Sequence, residues 1–237
     1  MGMASGVSEP EVSEAPELSE PEPEPEPEPD PDPARFVFGK SVPVKEILQS
    51  MERILAGDKF SEMDLNILFD CCIRTDSTKT ILLPSVSITN GLQSIVWPES
   101  FFPEFLKQET MIFLPMMYKD HWILVVVGPM RSRFGIHVYD SYKMFSTCFE
   151  QAIHALEDWL QNRYSIRLRR TLWKSCSQQS SSSLACGMFI VAYAMTLQCD
   201  PTTFNEEFLD LGMDFEKVKL LPMRSDFALR ILRIVNS

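Results

Sequence analysis

The sequence predicts an α+β fold: a central mixed sheet flanked by helices, with a cysteine at the N-terminus of a buried helix. Three observations carry that expectation. Apolar residues recur at helical spacing near both ends of the body, strand-like runs fill its middle, and a serine-rich polar loop runs into an unbroken apolar stretch at Cys186.

The elements follow in order. Val44, Ile47, Leu48, Met51, Ile54 and Leu55 mark one face of a helix that stops at Gly57. A second helix starts at Ser61, with Asp64 three residues on as its capping partner, and buries Leu65, Leu68, Phe69 and Cys72. Strands are expected over Thr80 to Val86, Met111 to Met116, His121 to Val127 and Phe134 to Asp140, the last two joined by a hairpin connection over Gly128 to Arg133. The run from His121 to Val127 is almost continuously apolar, as a strand covered on both faces must be. A helix over Phe149 to Leu160, a strand over Ser165 to Leu172, the helix from Cys186 and a last helix over Asp226 to Val235 complete the pattern. No internal repeat is present.

Charge separates the chain into two parts. Residues 1–34 hold eleven Asp or Glu and no Lys or Arg, leaving 22 acidic and 22 basic residues in 35–237. The net charge of −11 therefore belongs to the tail, whose Pro-Glu alternation from Pro21 to Pro33 predicts an extended, disordered segment. Residues 35–237 form a neutral body long enough for one domain, and that balance gives no case for nucleic-acid binding. With no signal-like start and no apolar run of membrane-spanning length, a monomer in the nucleus or cytoplasm, without membrane contact, is expected. Six cysteines without a secretory signal are expected as thiols, and neither Cys-x-x-Cys nor His-Glu-x-x-His is present to scaffold a metal.

Cys186 carries the chemical argument. A helix N-terminus favours thiolate over thiol, and thiols so placed reach pKa values of roughly 3.5–7.5. Such a nucleophile needs a base to take and return its proton, and a carboxylate to orient that base. His121 opens one strand and Asp140 closes the next, so a hairpin between them brings both to one end of the sheet. His137 lies mid-strand and His154 on an amphipathic helix; both compete with His121 only weakly. For the oxyanion, the Cys186 N–H is a natural first donor, and Gln178 and Gln179 are candidates for the second.

His121-Trp122, Asp140-Ser141, a Gln pair and Cys186-Gly187, in that order, resemble the ubiquitin-like-protein-specific cysteine proteases of the sentrin/SUMO protease family, whose relatives include the adenovirus maturation protease. The resemblance covers Phe60 to the C-terminus and implies a papain-like or adenain-like fold. It implies that His121 is the general base, Asp140 its orienter, Cys186 the nucleophile and Gln179 the oxyanion residue. It also implies that Trp122 covers a narrow channel for a glycine-rich tail, with Phe60 as the other wall. The partner implied is a SUMO- or NEDD8-like protein or its conjugates, and no cofactor or metal is implied.

Three departures stand beside the resemblance. Ser180, not Gln179, is six residues before the cysteine, and Ala185 replaces the usual Asp, which is nearer to the adenovirus-type enzyme. Phe60-Ser61-Glu62-Met63 stands where a Trp-led motif is usual, and the segment from His121 to Asp140 is slightly long. A maturation protease cutting internal sites, a catalytically silent module that binds a ubiquitin-like protein, and, more distantly, an acyltransferase remain open readings of the same residues.

Overall fold

The computed structural model describes residues 33–73, 80–88, 110–130, 133–142, 147–165, 168–180, 183–212 and 215–236, all within one compact unit, Asp32–Ser237. The acidic tail through residue 32, residues 131–132 of the expected connection, and Ser181 and Ser182 lie outside the described residues.

The chain enters through a hairpin, β1 (Ala34–Val37) and β2 (Lys40–Pro43), that turns at Phe38 and Gly39, both with positive φ. Helix α1 (Val44–Ala56) follows and ends at Gly57, whose φ of 86° is the left-handed conformation a helix C-terminus favours. The guanidinium of Arg224 lies against Gly57 and donates to the Ile54 carbonyl at 2.9 Å, so a cation caps the negative end of the helix. Helix α2 (Glu62–Cys72) starts with the expected reciprocal cap: Asp64 N donates to Ser61 Oγ at 3.2 Å, and Ser61 N to Asp64 Oδ2 at 2.8 Å. Asp64 is fully buried and also receives Arg53 from the last turns of α1, which fixes the α1–α2 corner.

Seven strands form the main sheet among the described residues. The stretch expected as one strand over Thr80 to Val86 is two short ones, β3 (Thr80–Leu82) and β4 (Val86–Ser87), both parallel to β5 (Met111–Tyr118). Pro84 has no N–H to give the ladder, and three residues there oppose two on β5, so the edge bulges. Strands β6 (His121–Met130) and β7 (Arg133–Tyr139) continue the sheet antiparallel, and β8 (Leu168–Cys176) and β9 (Phe208–Leu209) extend it in parallel.

Strand β6 is central and covered on both faces, as its apolar run requires. Trp122, Leu124 and Val126 join the core shared with α1, α2, α4 (Cys186–Cys199) and α5 (Leu220–Val235), whereas Ile123, Val125 and Val127 face the core under α3 (Thr147–Tyr164). Helix α4 is buried along nearly its whole length.

Three boundaries correct the sequence reading. The connection expected over Gly128 to Arg133 is mostly strand, since Gly128, Pro129 and Met130 pair with Gly135, Phe134 and Arg133 and carry the ladder on past the expected turn. Ser165 does not open a strand: its φ is 53° and its N–H bonds the Gln161 carbonyl at 2.8 Å, so it closes α3, and the strand runs from Leu168 to Cys176. The last helix starts at Leu220, not Asp226, and passes through Pro222. That proline sits in the first α-helical turn, directly after a π-helical turn, Phe215–Lys219, so the ladder widens where its missing N–H would bond. Among the described residues, no helix is long and apolar enough to cross a membrane.

Candidate active site

The pairing of β6 with β7 carries the start of one strand and the end of the other to the same edge of the sheet. The register Leu124↔Tyr139 places His121 and Asp140 as diagonal neighbours with the same side-chain parity. His121 Nε2 lies 2.8 Å from Asp140 Oδ1. Because a carboxylate only accepts, Nε2 carries the proton, and Nδ1 is left for the thiol of Cys186, which bonds the same imidazole. The three residues are brought together from three elements, and all are buried, at 6%, 4% and 7% exposure for His121, Asp140 and Cys186.

Burial is the largest single influence on the imidazole and pushes its pKa down. The hydrogen bonds to Asp140 and Cys186, with their charges, outweigh it and raise the pKa to about 9. His121 is therefore charged at neutral pH.

Asp140 has a second role. Its Oδ1 accepts the Tyr142 N–H at 2.8 Å, an Asx-type turn two residues long. The same Oδ1 thus serves the turn and the pairing with His121. Tyr142 then turns its ring toward His121, with centroids 6.0 Å apart in an edge arrangement, and Phe149 of α3 meets the imidazole at 6.3 Å. Neither contact was expected from the sequence.

On the other side of His121, the β5–β6 turn holds Lys119 and Asp120 at φ of 47° and 65°. A two-residue hairpin turn of this hand prefers Gly or Asn, so two other residues there carry a strain of roughly 1–2 kcal/mol each. The turn places the Asp120 carbonyl 3.9 Å from Cys186 Sγ.

The start of α4 differs from that of α2. Ala185, its N-cap, supplies no side-chain oxygen, and the first turn of the helix carries no acidic residue of its own. Gly187 follows because nothing larger fits: a Cβ would stand 2.4 Å from Phe60 Cδ2. Phe60 is tied in turn to Trp122, whose Nε1 donates to the Phe60 carbonyl at 3.0 Å. Trp122 is 1% exposed and Phe60 7%, so both aromatics are buried against the site.

The two glutamines separate by what their amides do. Gln178 Nε2 is spent on the carbonyls of Asp140 at 3.0 Å and Cys176 at 2.9 Å. Gln179 accepts Ser141 Oγ on its oxygen at 3.1 Å, and its nitrogen makes one long bond, 3.4 Å, to the Ser183 carbonyl. Its backbone N–H is held by the Ser141 carbonyl at 2.9 Å. The amide therefore bridges the loop after β7 and the loop before Cys186.

The competing histidines stand apart. His137 is fully buried and stacked on Phe204 at 3.9 Å, and burial, with Lys174 nearby, pushes its pKa down to about 3. His154 is exposed on α3, 3.0 Å from Glu157. Cys71 and Cys72, in the last turn of α2, are pushed up to about 12 by burial.

The fold is that of the SUMO protease class of cysteine proteases. It is similar to the SUMO protease Ulp1, solved with its catalytic cysteine oxidised to a sulfenic acid, at 14% identity, with 82% of this chain and 85% of that chain covered and a TM-score of 0.51. It is also similar to a de-SUMOylating protease at 11% identity, with 87% and 94% covered and a TM-score of 0.50. No protein-family profile and no curated protein sequence matches the chain.

Proposed function

We propose that the protein is a cysteine peptidase or isopeptidase that cleaves after the C-terminal glycines of a ubiquitin-like modifier, SUMO-like or NEDD8-like, through an acyl-enzyme on Cys186. The observation that carries this reading is the convergence of the Cys186 thiol and Asp140 Oδ1, the latter at 2.8 Å, on the His121 imidazole. The solved structures of like fold, named for SUMO cleavage, support the choice of substrate class.

In this reading His121 and Cys186 act as an imidazolium–thiolate pair. The thiolate attacks the carbonyl carbon of the terminal glycine, and its electron pair forms the C–S bond while the carbonyl oxygen takes up negative charge. That the Cys186 N–H stands at a helix start with no side-chain cap supports its role as first donor to that oxyanion. The Gln179 amide supports it as second donor, since exchanging a 3.4 Å bond to Ser183 for a charge-assisted one is favourable. Gln178, with its amide committed to two carbonyls, does not compete for this role.

Collapse of the intermediate expels the amine, a lysine side chain or a peptide N-terminus, which takes the His121 proton. Neutral His121 then draws a proton from water, whose oxygen attacks the thioester and frees the carboxylate. Asp140 holds the ring throughout by its 2.8 Å bond to Nε2.

Trp122 and Phe60, joined by their own hydrogen bond beside the nucleophile, support a glycine-ended substrate. A tail passing two packed aromatics must be small, and Gly-Gly is the smallest peptide.

The test is a panel of ubiquitin, SUMO and NEDD8 probes with C-terminal thiol-reactive groups, incubated with the full chain and with Cys186→Ala. A Cys186-dependent adduct with one probe is expected. Adducts or turnover retained by Cys186→Ala, or none from the folded wild-type chain, would overturn the reading.

A further inference from the structure

The segment between Gln179 and Cys186 is serine-rich and carries its one large apolar side chain, Leu184, exposed to solvent. Its described residues make only short-range bonds of their own, such as Ser183 N–H to the Ser180 carbonyl at 3.0 Å. Catalytic donors, however, lose their effect when they drift by about 1 Å. The constraint comes from the far end of the chain. Glu216 Oε2 accepts the Ser180 N–H at 2.8 Å, and Glu216 Oε1 accepts Ser180 Oγ at 3.1 Å. The Ser183 side chain bonds the same carboxylate, and Ser183 Oγ also receives the Ala185 N–H at 3.2 Å, one residue before the nucleophile. One carboxylate thus grips the segment next to Gln179 and again next to Ala185.

The grip has a rigid base. Glu216 belongs to a short π-helical turn, Phe215–Lys219, whose Phe215 packs on Phe189 of α4 with ring centroids 4.8 Å apart. Lys219 closes the same turn by donating to the Leu211 carbonyl at 2.8 Å. The clamp's turn thus leads directly into α5 and packs on α4, the helix that starts with Cys186.

We infer that Glu216 is a positioning residue, which holds Ser180 and Ser183 on either side of the segment before Cys186 and, through Ser180, the neighbouring second oxyanion donor, Gln179. The inference rests on the cysteine-peptidase reading and adds to it a residue thirty-six positions from Ser180 in sequence. It also accounts for how Gln179, seven residues before the cysteine, is held in register by a serine-rich loop.

Three measurements test it on the full chain. With the glycine-ended reporter that the wild type cleaves, Glu216→Ala lowers kcat about tenfold or more with KM changed less than about twofold, as loss of a transition-state interaction requires. Iodoacetamide alkylation of Cys186, which reads the nucleophile without an oxyanion, stays within about twofold of wild type. Glu216→Gln, which keeps one acceptor oxygen, recovers part of the lost kcat. Unchanged kcat, or kcat and alkylation falling together, overturns the positioning role. Hydrogen exchange at the Ser180 amide reads the clamp without any turnover: Glu216→Ala speeds it, and an unchanged rate overturns the clamp itself. Failure of the wild type to cleave any reporter would instead count against the peptidase reading, with the exchange result still deciding the clamp.

Discussion

The ring of Phe60 lies directly over Gly187, so that a Cβ at Gly187 would stand 2.4 Å from Phe60 Cδ2 and 3.0 Å from Cγ. The contact joins the loop between α1 and α2 to the first turn of the nucleophile's helix. It explains why a glycine follows the cysteine. Gly187→Ala should lower stability by about 1–3 kcal/mol through overpacking, and lower turnover about a hundredfold by displacing the start of α4. Chemical denaturation and turnover measure the two effects. In the Phe60→Ala background the added methyl should cost far less, a coupling a double-mutant cycle reads. A Gly187→Ala protein with wild-type stability would sink the packing account.

His121 should set the alkaline limb of activity. Its pKa of about 9 lies above the ordinary 6.5, so the ion pairing it makes stabilises the fold fully below about pH 6.5 and is lost as pH rises toward 9. The proton needed by the leaving amine disappears over the same limb, and kcat/KM should fall above about pH 9. Asp140→Asn removes the charge behind much of that rise. It should move the limb toward the ordinary imidazole value and cost about 10²–10⁴-fold in kcat. A pH–rate profile with NMR titration of His121 checks both; an unmoved limb would mean that Asp140 does not hold the imidazolium.

His137 should make the fold acid-labile. Its native pKa of about 3 lies below 6.5, so the unfolded chain takes up a proton that the native one cannot. The sign is opposite to that of His121. Stability is fully present above pH 6.5 and drains away as pH falls toward 3, on the order of a few kcal/mol. His137→Leu should flatten the fall of Tm over that range while leaving turnover near pH 8 unchanged, since His137 stacks on Phe204 and takes no part in the site. Thermal melts across the pH range decide it; equal acid sensitivity in both proteins would assign the lability elsewhere.

Much of the fold was legible because it is written in local patterns. The capping pair Ser61 and Asp64, the stop at Gly57 and the two-sided apolar run of β6 each depend on residues within a few positions of one another. The α+β class, with its central mixed sheet, follows from them and holds in the structure. Where the reading slipped, a local signal was ambiguous. Ser165 looks like a strand start but adopts a positive φ that closes α3, and Pro222 looks like a helix breaker but occupies a first turn. The β1–β2 hairpin turns on Phe38-Gly39, which lacks the usual Asn-Gly or Asp-Gly signature.

For the site, the sequence by itself determined the order of the elements and which side chains stand at their ends: His121 opening one strand, Asp140 closing the next, Cys186 starting a buried helix. Strand alternation and helix periodicity are short-range rules, and they suffice for that much. Only the tertiary structure decided that the Gln178 amide is held by two carbonyls whereas that of Gln179 makes one long bond, that Phe60 covers Gly187, and that Glu216 binds Ser180 before Cys186. Each of these depends on where distant segments cross, and no local spacing encodes a contact between residues thirty to a hundred positions apart or more.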